Sequence, residues 1–145
     1  MESKEESGGP PGAQQVVDLH LATGLGVMKA KAFLEAESAE RCERILRAFR
    51  EQRRHEQGGS LHDPIEDEPV FRERVEAAKA AALEEHRVLV EGENRKLVEE
   101  GLGRLAEEWP RGSCHRIWRL MKERLEQQGI LWYSPAEMNP CAVFD

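Results

Sequence analysis

Between Met28 and about Gln57 the apolar positions recur at helical spacing. Leu34, Ser38, Cys42, Ile45, Leu46 and Phe49 fall within one arc of roughly 120° on a helix that advances about 100° per residue. Arg44, Arg47, Arg50 and Arg54 share the opposite side. The spacing predicts one amphipathic helix over 28–57 with an arginine back, ended by Gly58-Gly59. A shorter helical pattern precedes it from Gln14 in QQVVDLHLA, and Thr23-Gly24-Leu25-Gly26 interrupts the two.

The segment SLHDPIEDEP, with two prolines and an acidic run, reads as an extended linker that places negative charge ahead of the next helix N-terminus. From Pro69 to Trp109 the chain is rich in Ala, Glu, Leu and Arg without an internal proline, which predicts a helix over 69–109. Its apolar pattern changes partway. Phe71, Val75, Ala78, Ala82 and Leu89 make one stripe, and Val98, Leu102, Leu105 and Trp109 make another on roughly the opposite side, with Leu83, Val90 and Leu97 between them at heptad spacing. Gly92 lies near the change, so the pattern admits either a bend there or one rod that shows different faces to two neighbours.

Pro110-Arg111-Gly112 predicts a turn, with Ser113 as N-cap of a third helix over 113–128. Cys114, Ile117, Trp118, Met121 and Leu125 line one side of it, and Gly129 ends it. The closing stretch 129–145, GILWYSPAEMNPCAVFD, breaks with everything before it: aromatic, apolar and interrupted by two prolines. Within it Ser134-Pro135-Ala136-Glu137 has the pattern of a helix start, stopped by Asn139-Pro140. Residues 1–13, polar and turn-rich, are expected to be a disordered leader. Together these elements predict an all-α fold. We expect a single helical domain over 14–145, built as an extended helical hairpin or small bundle of long amphipathic helices with an irregular aromatic tail.

Composition narrows the classes. Charged residues are 34% of the 145 and aromatics 6%, which limits the apolar material for a thick core and favours long exposed helices. The net charge of -7 is unevenly spread: 58–108 carries -7, while 29–57 carries +2 and 109–128 carries +3. Such alternation favours packing of the segments on one another or docking on a charged partner. Three cysteines and a polar start without an apolar signal point to a reducing compartment, so the expected location is cytoplasmic or nuclear rather than secreted. No apolar run approaches the roughly 18 residues of a membrane span.

Candidate chemistry is sparse. Cys42, Cys114, Cys141 and the five histidines lack metal-ligand spacing, and adjacent Cys114-His115 point about 100° apart on a helix. Thr23 to Lys29 has glycines but neither a preceding strand nor Walker spacing, so it reads as a helix interruption. No nucleophile, base and orienting group can be assembled, and neither an enzyme nor a cofactor is expected. The residues expected to bind a partner are the aromatic and apolar anchors Trp109, Trp118, Trp132, Tyr133, Met138 and Phe144, and the arginines Arg44, Arg47, Arg50 and Arg54. The aromatic segment could equally close the chain's own core. Ser134, ahead of Pro135, is a candidate phosphosite whose phosphate would oppose burial of the tail.

The pattern therefore predicts a non-catalytic intracellular interaction or scaffold subunit. It would dock acidic protein surfaces or partner helices, with self-association open. The alternative is a small helical nucleic-acid-associated factor using the arginine back together with Arg116, Arg119 and Lys122. It stands second because Glu40, Glu43 and Glu51 interleave with the arginines and no aromatic stacks among them.

Overall fold

The structure, a computed structural model, describes residues 12–52, 60–103 and 112–144. The chain is all-α, and no strand occurs among the described residues. The elements are α1 (Ala13–Thr23), α2 (Val27–Ala36), α3 (Ala39–Gln52), a 3-10 turn (Pro64–Asp67), α4 (Pro69–Glu99), α5 (Ser113–Gln127) and α6 (Pro135–Met138). They gather into two compact units, Met1–Pro64 with Pro135–Ala142, and Ile65–Ser134 with Val143–Asp145. Most of the expected leader lies outside the described residues, and Ala13 already belongs to α1.

In the first unit α1 packs against α2 and α3, and α6 packs on α3. The helix expected over 28–57 is two helices, and its stretch 53–57 lies outside the described residues. The break is at Glu37-Ser38. Ser38, read as part of an apolar face, instead accepts the Arg41 amide on its Oγ at 3.1 Å, which satisfies one of the unpaired donors at the start of α3. Arg41 then crosses the break, with its guanidinium 4.8 Å from the centre of the Phe33 ring in α2. The α1–α2 turn is closed by its own side chains: Thr23 Oγ1 donates to the Leu19 carbonyl and accepts from the Leu25 amide, and His20 donates to the Leu25 carbonyl.

The second unit is built on α4 and α5, which run antiparallel: Arg116, early in α5, reaches Glu93, and Arg124, near its end, reaches Glu85. The core between and beside them contains Ile65, Val75, Ala78, Ala82, Ile117, Leu120, Met121, Leu125, Ile130 and Trp132, with Phe71, Leu83 and Trp118 at its edge. α4 runs as one rod through Gly92, with no break there, and ends ten residues before Trp109. At its end Gly101 is left-handed (φ 75°), and the Leu102 and Gly101 amides close on the Leu97 and Val98 carbonyls.

The buried stripe of α4 differs from the expected one. It continues from Val75, Ala78 and Ala82 through His86, Val90 and Asn94, while Leu89, Val98 and Leu102 are exposed. Counting apolar residues could not find it, because two of the three inward positions in the second half are polar and paired rather than apolar.

Gly92 sits mid-helix with nothing within 4 Å of the position its Cβ would take. Gly92→Ala is expected to raise stability by about 1 kcal/mol, the propensity difference in a helix interior. The check is a higher urea midpoint at an unchanged slope.

Candidate functional site

The tail singled out by the sequence is positioned by a helix cap. Gly129 takes φ 77°, the Ile130 amide bonds to the Leu125 carbonyl and the Gly129 amide to the Glu126 carbonyl, each at 2.9 Å. This pairing turns the chain back sharply, and Ile130 joins Leu125 in the core. Lys122 then donates to the Trp132 carbonyl at 3.0 Å, and its ammonium lies 5.0 Å from the centre of the Tyr133 ring. The Trp132 indole N–H donates to Glu66 at 2.7 Å, and the residue is 1% exposed. The aromatic ring is thus core and its one polar atom is satisfied.

Beyond it, Pro135–Ala142 belongs to the first unit. Met138 is fully buried, and Arg41 donates to the Glu137 carbonyl at 3.0 Å. Asn139 makes a two-point contact with the backbone of Leu61, its Oδ1 accepting the amide at 2.8 Å and its Nδ2 donating to the carbonyl at 2.7 Å. Gln52 holds the backbone of His62 in the same way, at 3.0 and 2.8 Å. The third hold on this strap is ionic: Arg44 donates to Asp63 at 2.6 Å, and the Asp63 side chain is wholly inaccessible. Residues 61–63 are therefore fixed one after another by an amide, an amide and a guanidinium.

The expected partner anchors divide accordingly. Trp132, Tyr133 and Met138 are closed inside the molecule instead of being offered at its surface, because each completes a core or a cation-π contact of this chain. Trp118 and Phe144 are half-buried and meet edge to face at 5.1 Å, with His115 edge-on to Trp118 at 5.4 Å and donating to the Phe144 carbonyl at 2.9 Å. Trp109 and Arg54 lie outside the described residues. Ser134 is 8% exposed, so a kinase reaches its hydroxyl only after the segment lifts.

The arginine back is largely engaged. Arg44 is held by Asp63 and by Glu40 at 2.9 Å, and Arg47 by Glu51 at 3.0 Å, while Arg50 is exposed. Cys42 is buried, and burial pushes its thiol up, which suits a packing role and not a reactive one. Among the described residues no group of three His, Cys, Asp or Glu side chains could hold a metal ion, and no helix is long and apolar enough to cross a membrane.

One polar cluster went unnoticed in the sequence. His86 is buried on α4, and its Nδ1 accepts from Arg116 Nε at 3.1 Å, while the same guanidinium grips Glu93 with both terminal nitrogens at 2.8 and 3.3 Å. Burial first and the Arg116 charge second push the His86 pKa down, partly offset by Glu93, and the hydrogen bond from Arg116 lowers Glu93.

No family model matches the sequence, and no curated protein or solved structure matches it significantly.

Two outcomes follow from these contacts. Arg44→Ala removes the guanidinium from a buried carboxylate and is expected to cost about 3–5 kcal/mol, read as a large fall in the denaturation midpoint. For His86, the folded state prefers the neutral ring, so the unfolded chain takes up the proton first. That stability is full above the ordinary value of 6.5 and is lost as pH falls below it. In His86→Gln, whose amide oxygen can still accept from Arg116, stability measured between about pH 6.5 and 5 is expected to depend less on pH.

Proposed function

We propose that the protein is a non-catalytic intracellular interaction subunit that docks on protein partners through apolar side chains left outside its two cores. What supports this reading is where those side chains sit. Val17 and Leu21, one turn apart on α1, are exposed, and so are Val27 and Met28 at the start of α2, Met28 at 76%. Val88 and Val98 stand out on α4 at 53% and 51%. Single exposed apolar residues are ordinary, but several large ones on the helices of a strongly charged chain, Val17 and Leu21 among them at helical spacing, suit an interface.

In this reading the tail serves the fold, and the docking surface is carried by helices. The scaffold role, the coiled-coil character of α4 and the helical-hairpin architecture of α4 with α5 belong to the same proposal. The engaged state of Arg44 and Arg47 argues against a phosphate-gripping face, because freeing each arginine would give up an ion pair with Asp63, Glu40 or Glu51.

The test is affinity purification from cells of the full-length chain beside Leu21→Glu with Met28→Glu. Both substitutions are at exposed positions and are expected to change stability by no more than about 0.5 kcal/mol each. The expected result is loss of the principal partner with the helical circular dichroism intact. An unchanged set of partners would remove α1 and α2 from the interface and with them the main support for the proposal.

A further inference from the structure

Within α4 the outward positions Glu84, Val88, Glu91, Arg95 and Val98 follow one another by four, three, four and three residues, and Leu102 stands four further on, in the cap. This is heptad spacing, and at about 100° per residue it runs roughly 150° round the helix from the stripe buried against α5. All six are exposed. The sequence pattern between Val88 and Val98 also reads the same in both directions, except that charge reverses: apolar, acidic, basic, apolar, at intervals of three, four and three.

We propose that this face binds a second copy of the chain, α4 against α4, antiparallel about a two-fold axis near Glu93. The inference rests on the interaction-subunit reading and names one of its partners. A two-fold axis demands a self-complementary patch, in which residue i meets j and j meets i. Antiparallel alignment supplies that: Val88 meets Val98 of the second copy, Glu91 meets Arg95 of the second copy, and both contacts repeat on the other side of the axis. Parallel alignment sets Glu91 against Glu91 and Arg95 against Arg95, so charge repulsion selects the antiparallel arrangement. The stretch from Glu84 to Leu102 spans only about 27 Å, short for a standard interface, so the dimer is weak and forms with rising concentration.

Sedimentation equilibrium of the purified full-length chain tests this. The unaltered chain is expected to pass from monomer to dimer as concentration rises towards about 1 mM. Glu91→Arg alone and Arg95→Glu alone each place like charges in register and are expected to weaken association at least about 10-fold, one ion-pair layer being reversed on each side of the axis. The double swap, Glu91→Arg with Arg95→Glu, is expected to restore it, and circular dichroism should be unchanged throughout.

A chain monomeric at all concentrations overturns the proposal. So does a dimer indifferent to the single reversals, or one that the double swap fails to restore. A monomer that still loses its cellular partner through Leu21→Glu and Met28→Glu overturns self-pairing alone and leaves the interaction reading standing.

Discussion

Buried backbone that is neither helix nor strand must find its hydrogen bonds in turns, side chains or water, and in both units side chains supply several of them. Leu61 to Pro64 is buried or nearly so, yet its polar groups have no ladder to join. Asn139 and Gln52 supply paired amides in the places a neighbouring strand would occupy, and Arg44 neutralises Asp63 where no water reaches. In the second unit Lys122 does the same for the Trp132 carbonyl. Several polar residues of this chain are therefore structural, and a buried group left unpaired costs more than the bond itself contributes.

The aromatic tail is intelligible in these terms. Its large side chains cannot be ordered unless something turns the chain back onto α5, and the cap at Gly129 does so. Once Ile130 lies on Leu125, Trp132 reaches the core of the same unit with its N–H on Glu66. The prolines that follow end the helical alternatives and leave a single turn of helix, whose Met138 is consumed in burial. Trp132, Tyr133 and Met138 of this segment are used internally, while Leu131 and Val143 are exposed.

The helix surfaces have a common character. Exposed apolar residues stand among charges on α1 (Val17, Leu21), α2 (Val27, Met28) and the outer side of α4 (Val88, Val98). On the arginine-rich face of α3, Arg44 holds the strap and Arg44 and Arg47 pair with glutamates of their own helix, while Arg50 is exposed.

Helix content, the Gly129 stop and the short helix at Pro135 could all be read from sequence, because each depends on residues within a few positions of one another; Ser113, read as an N-cap, is instead the first residue of α5, and the cap is the left-handed Gly112 (φ 88°) without a side-chain bond. One local feature was missed for want of a stronger signal, Ser38 as a cap, hidden by its place on an apolar arc; at Gly92 the pattern left two alternatives open, and α4 takes the unbroken one. The rest depended on distant pairing. That Asp63, His86, Trp132 and Met138 are buried depends on segments distant in the chain: Arg44 reaches Asp63 across 19 residues, Arg116 reaches His86 across 30 and Trp132 reaches Glu66 across 66. Periodicity ranks positions by their own hydrophobicity, whereas burial of a polar side chain is decided by whether a matching group arrives from elsewhere in the chain.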